Sequence, residues 1–184
     1  VFFYFYSMNN APIGIFDSGI GGITILNSIK KTLPKESIIY YSDNYNSPYG
    51  NKSKKEIEKL SIKNTKFLIE KGCKIIVVAC NTATTNSISK LRTNFDLPFI
   101  GVEPAIKPAA MQTKSGLIGV LATKGTLSSG LFEKTANNYA SDVKVIEKNA
   151  TGLIELIEKG IFSGEKIENI LKKNLNPMIQ NKID

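Results

Sequence analysis

Histidine and tryptophan are absent from this chain of 184 residues, arginine occurs once and cysteine twice. With no histidine and only Cys73 and Cys80 as thiols, a zinc site of the Cys/His type has too few ligands and is not expected. Two cysteines do not make a disulfide framework, and reduced thiols fit the cytoplasm. No run of 18 apolar residues occurs, so no membrane span is expected. Residues 1–7 are apolar, but they are too short for a signal peptide core and have no basic flank. Met8 reads as the natural start, and the residues before it as an extension. The scarcity of arginine bears on the net charge of +8. Sites that read phosphate or guanine favour arginine forks, and here Arg92 stands alone. The lysines alternate with glutamates at 54–59 and 155–173, as on solvated helix faces. A nucleic-acid surface is not expected.

What is present is enough for a core: 42% of the residues are hydrophobic. Residues 75–79, Ile-Ile-Val-Val-Ala, form a continuous apolar run of the kind buried on both faces of a parallel sheet. Cys80 ends that run. Asn81 and Thr82 follow, both suited to a helix N-cap, and residues 83–94 read as the helix. Cys80 therefore sits where a central strand gives way to a helix. Ligands bind at that edge of open α/β sheets. The helix dipole and free N–H groups there favour a thiolate. The residue reads as a nucleophile or proton-transfer base, or as a small buried cysteine that only packs.

Around this strand the chain alternates. Residues 13–16 and 38–41 read as strands, with a helix over 22–32 between them. Ser53 to Glu56 is a capping box, and the helix after it stops at Gly72, placed as a C′ glycine. Residues 98–102 give a fourth strand. This β-α-β-α-β-α-β order calls for a parallel sheet with right-handed crossovers. Residues 103–115, with Pro104 and Pro108, read as a connection between domains. Beyond it come strands at 116–122 and 143–146 and helices at 128–139, 151–159 and 163–174. The expected division is an extension over 1–12, a first α/β domain over 13–102 and a partial second over 103–184. Two strands are too few for a covered parallel sheet.

Three turns of the first domain fall near strand carboxyl ends: Asp17-Ser18-Gly19, Pro48-Tyr49-Gly50 and Cys80-Asn81-Thr82. In a parallel sheet they should converge. Together they offer a carboxylate, a thiol, hydroxyls, an amide and backbone N–H groups, which suits a small zwitterion. A dinucleotide reading competes. Gly19-Ile20-Gly21 supplies two glycines of a G-x-G-x-x-G pattern, and Asp43 is placed as a ribose-binding acid would be. Thr24, however, stands where the third glycine belongs, and Asp17 would repel a pyrophosphate.

Five ordered blocks carry a resemblance: residues 15–22, 48–50, 78–83, 98–102 and 119–126. The chain resembles the glutamate racemases of the aspartate/glutamate racemase family, cofactor-independent enzymes that supply D-glutamate for peptidoglycan. The resemblance implies two similar parallel-sheet α/β domains, the second incomplete here. It implies that Cys80 is catalytic and that Asp17, Ser18, Tyr49, Gly50, Asn81 and Thr82 contact substrate, with Thr123 and Thr126 as further candidates. Cys73 matches no catalytic position and reads as packing. The implied mechanism sets one cysteine on each face of Cα, Cys80 serving D-glutamate. No metal and no cofactor are implied. The expected partner is a small-molecule substrate, without nucleic acid or membrane, and a homodimer is allowed.

The family's second motif, Gly-Cys-Thr-His, has no counterpart in these 184 residues. The chain reads as C-terminally truncated and is expected not to racemise glutamate as it stands. The alternatives are a racemase of aspartate or another amino acid, or a non-catalytic ligand-binding fragment.

Overall fold

A computed structural model describes residues 10–184. The expectations for residues 1–7 and for Met8 concern positions outside that range. Contacts divide the chain into a unit ending at Val102 and a unit from Glu103 to Asp184.

The first unit runs β1 (Ile13–Asp17), α1 (Ile23–Thr32), β2 (Ile38–Ser42), α2 (Lys54–Glu70), β3 (Ile75–Val78), α3 (Asn81–Asn94) and β4 (Phe99–Gly101). The four strands are parallel, in the order β2-β1-β3-β4. Parallel neighbours need long crossovers, and the helices supply them. β1 is buried at all five positions, as a strand covered on both faces must be. Side chains alternate across the pleat. Ile13, Ile15, Val77 and Ala79 cluster with Ile25, Leu26 and Ile29 of α1. On the other face α2 lies on β1 and α3 on β3 and β4, and the two helices pack together.

Local chemistry sets the ends of α2. Ser53 Oγ accepts from the Glu56 N–H, and the Glu56 carboxylate accepts from the Ser53 N–H, a complete capping box. At the far end Gly72 takes φ +77°. Its N–H donates to Ile69 O and that of Cys73 to Leu68 O, at 2.8 and 3.2 Å. This pair of bonds is the Schellman stop.

The second unit holds α4 (Ile106–Gln112), β5 (Leu117–Ala122), α5 (Lys124–Leu127), α6 (Gly130–Tyr139), β6 (Lys144–Asn149), α7 (Leu153–Glu158) and α8 (Glu165–Gln180). β5 and β6 pair in parallel. The stretch 103–115 is not a bare connection, because α4 lies within it. Pro108 is tolerated there as the third helical residue, whose N–H has no partner in a first turn anyway. The expected 128–139 helix starts at Gly130, where Ser129 caps it by accepting from the Phe132 N–H. The last helix passes 174 and continues through Pro177 to Gln180.

The two-stranded sheet is better covered than the strand count implies. Ile106, Ile118, Phe132 and Ala140 form a core on one face of β5, with Val120 and Val145 against it. On the other face Met178 of α8 comes close: a Cβ on Gly119 would lie 2.7 Å from its Sδ.

Candidate active site at the carboxyl edge of the first sheet

Sheet order locates the site before any side chain is considered. From β1 the chain moves to β2 on one side, and from β3 to β4 on the other. The connections therefore diverge above the carboxyl ends of β1 and β3. Such a switch point opens a crevice at the sheet edge. Asp17 is the last residue of β1, and Cys80 lies two residues past the end of β3.

The two turns meet there. Ser18 Oγ lies 3.3 Å from Cys80 Sγ. Cys80 is itself the N-cap of α3: its Sγ accepts from the Ala83 N–H at 3.3 Å. This corrects the sequence expectation, which gave the cap to Asn81 or Thr82. Asn81 is the first helical residue and is exposed, while Thr82 is buried in the same turn. Cys80 still has extended angles, φ −91° and ψ 117°, and helical geometry begins at Asn81, so the cap falls one residue earlier.

The thiol's acidity also departs from expectation. Burial pushes the Cys80 pKa up from 9.0, and the nearby Asp17 carboxylate pushes it further, to about 11. Hydrogen bonds from Ser18 and from the Ala83 N–H pull the other way and lose. Cys80 is 6% exposed, so desolvation dominates the helix terminus. At neutral pH the residue is therefore a neutral thiol.

Asp17 is buried, and its Oδ2 accepts from the Gly22 N–H at 2.8 Å. The carboxylate thus occupies the N-terminal end of α1, where a dinucleotide would set its pyrophosphate. Gly22 is needed for space. A Cβ there would lie 2.7 Å from Asp17 Cβ, 3.0 Å from the Tyr40 hydroxyl and 3.1 Å from Ala79 Cβ.

Tyr49 is placed differently from expectation. It is 1% exposed. Its hydroxyl donates to Asp43 Oδ2 at 2.6 Å and accepts from Asn64 Nδ2 at 3.0 Å. Burial, then the hydrogen bond to Asp43, drives its pKa well above the ordinary phenol value. The phenol is engaged inside the protein. Tyr49 and Gly50 open a one-turn 3-10 helix, Tyr49–Asn51, whose first N–H groups have no partner within the turn. What this turn can offer a ligand is backbone.

Asp43, a candidate ribose acid in the dinucleotide reading, is buried and holds Asn46 and Tyr49. With Asp17 filling the glycine turn, that reading has no acid and no phosphate cradle left. Sequence reasoning missed Asp43 and Asn64 as partners of Tyr49, and Ala83 as a donor to Cys80. The only signal for Asp43 was its place one residue past β2.

Cys73 lies before β3, seven residues from Cys80 and roughly 20 Å away at strand rise. It packs so closely on Gly14 that a Cβ there would lie 2.9 Å from its Sγ. Both cysteines are free and buried. In the second unit Thr123 caps α5, accepting from the Thr126 N–H and donating to Thr126 Oγ1 at 3.0 Å. Among the described residues no group of three His, Cys, Asp or Glu could hold a metal ion, and no helix is long and apolar enough to cross a membrane.

Known proteins resemble this chain along nearly its whole length. Glutamate racemase from Herpetosiphon aurantiacus is 44% identical over 173 residues, 94% of this chain and 68% of that one. Glutamate racemase from Clostridium botulinum strain Hall is 46% identical over 177 residues, 96% and 69% of the two chains. Among solved structures, Escherichia coli glutamate racemase in complex with L-glutamate and the activator UDP-MurNAc-ala superposes with a TM-score of 0.83 at 35% identity. That match covers 92% of this chain and 65% of the other. Francisella tularensis glutamate racemase in complex with D-glutamate gives a TM-score of 0.80 at 32% identity, covering 95% and 66%. The chain thus spans about two thirds of the length of these relatives. The family model for Asp/Glu/hydantoin racemases matches residues 13–184, and with these relatives it shows that the chain belongs to that family.

Proposed function

We propose that the carboxyl edge of the first sheet is one half of a cofactor-independent site that interconverts L- and D-glutamate. The observation that carries this reading is the thiol of Cys80 at the switch point, within 3.3 Å of both Ser18 Oγ and the Ala83 N–H.

The α-proton of an amino acid is a very weak acid. Its removal at neutral pH needs a base in contact and donors that stabilise the enediolate-like carbanion. Cys80 supplies the proton-transfer group for D-glutamate. Its raised pKa suits the donating sense as the site stands. In the abstracting sense the substrate's ammonium group balances the Asp17 charge, which favours the thiolate. The thiolate then takes the α-proton, and the C–H electron pair passes into the enediolate. Ser18, Asn81, Thr82 and the backbone N–H groups of Tyr49 and Gly50 are the proposed contacts to the substrate's polar groups. Inversion needs a second group on the opposite face of Cα. Cys73 is buried at the far end of β3 and cannot serve.

On this reading the enzyme works in the cytoplasm and its D-glutamate feeds peptidoglycan synthesis. Free thiols are consistent with that compartment. Ligand protection tests the site. D-Glutamate should slow alkylation of Cys80 but not of Cys73, followed by peptide mass spectrometry, and D-aspartate should protect more weakly. Equal protection by both amino acids would favour a racemase of broader substrate range. No protection by glutamate would remove the proposal.

A further inference from the structure

Asp43 stands back from the reacting edge, yet it holds one side of that edge in place. We propose that Asp43 is a positioning residue for the candidate site, its buried carboxylate fixing the Tyr49–Gly50 turn by taking Asn46 and Tyr49 on its two oxygens. The proposal rests on the glutamate reading of this edge and deepens it.

The ladder between β1 and β2 ends with Asp17 beside Ser42. One more bond follows, from the Asp43 N–H to the Asp17 carbonyl at 2.9 Å. Asp43 is thereby tied to the peptide of a candidate site residue. The chain then leaves the sheet and has no strand to guide it. It forms two 3-10 turns, Asn44–Asn46 and Tyr49–Asn51, whose internal bonds are few and poorly aligned.

The carboxylate of Asp43 supplies what those turns lack. Oδ1 accepts from Asn46 Nδ2 at 2.8 Å, in the first turn. Oδ2 accepts from the Tyr49 hydroxyl at 2.6 Å, in the second. The hydroxyl also takes the Asn64 amide, which brings in α2. One side chain, 4% exposed, thus ties both turns to the sheet and to a helix. The phenol keeps its proton through the working pH range, so it stays a donor to Asp43. A buried carboxylate is costly unless its oxygens are satisfied. Here both are satisfied by the loop, so the charge and the loop conformation require each other. Asp43 acts through the backbone of Tyr49 and Gly50, without touching a ligand.

The test uses the whole chain with Asp43→Ala, Asp43→Asn and Tyr49→Phe. Amide hydrogen exchange over 44–51 reads the loop. D-Glutamate protection of Cys80, taken against each variant's own unliganded rate, reads the site. Asp43→Ala and Tyr49→Phe should speed exchange in the loop roughly tenfold, as loss of a buried charged hydrogen bond implies. Both should weaken protection at temperatures where the variants are fully folded. Asp43→Asn, whose one amide oxygen can still accept from Tyr49 but whose NH2 would face the donating Asn46 Nδ2, should fall between the unaltered chain and Asp43→Ala in both properties. If Asp43→Ala does not fold, Tyr49→Phe carries the same comparison. Unchanged loop exchange overturns the proposal, as does a loosened loop with undiminished protection. Should the unaltered chain show no protection at all, the glutamate reading fails, and the exchange data still decide whether Asp43 holds the turn.

Discussion

A thiol at the start of a helix is pulled in opposite directions, and at Cys80 the balance falls toward the neutral form. The helix terminus donates one N–H to sulfur, but burial and the Asp17 charge raise the pKa to about 11. Alkylation of Cys80 should therefore stay slow at neutral pH and climb tenfold per unit until the pH approaches that value. Asp17→Asn should move the midpoint down, and Ser18→Ala should move it up, since Ser18 favours the thiolate. Mass-spectrometric rates from pH 7 to 11 check both directions. The sequence made the place of Cys80 legible, because an apolar run ended there and cap-forming residues followed. It did not make the acidity legible. That depends on how much water reaches the sulfur and on a carboxylate 63 positions earlier in the chain.

At the scale of elements, the turn between β1 and α1 is set by crowding more than by backbone freedom. Gly22 has ordinary helical angles, φ −65° and ψ −11°, so a side chain is excluded by its neighbours. Gly22→Ala should cost about 1–3 kcal/mol, the usual penalty for overpacking, and should displace the Asp17 carboxylate. Chemical denaturation measures the first effect, and the pH midpoint of Cys80 alkylation reports the second. Periodicity and caps revealed the strands of the first unit, its capping box and the Gly72 stop, because each depends on neighbours in sequence. What it missed, or read only in part, answers to other forces. α4 forms although prolines flank and enter it, with Ile106 and Ala109 against the core of the second unit. α8 runs through Pro177 so that Met178 can lie over β5. The Tyr49 turn is held by Asp43 and Asn64, partners six and fifteen residues away.

For the molecule as a whole, the strand order 2-1-3-4 decides where chemistry can happen, and it brings two distant turns to one point. Two of the three turns expected to converge do so through side chains, Asp17-Ser18 with Cys80. The third, Tyr49-Gly50, is tied to that edge through Asp43, whose carboxylate accepts from the Tyr49 hydroxyl and whose N–H donates to the Asp17 carbonyl. One thiol at that edge can serve one face of an α-carbon, so these 184 residues should exchange the α-proton of D-glutamate without inverting it. The most direct measurement is proton NMR of D-glutamate in D2O with the unaltered chain and with Cys80→Ala. The α-proton signal should be lost in a Cys80-dependent way, with little L-glutamate formed on chiral analysis. Loss at the same rate with Cys80→Ala, or no loss above the buffer rate from the unaltered chain, would contradict it.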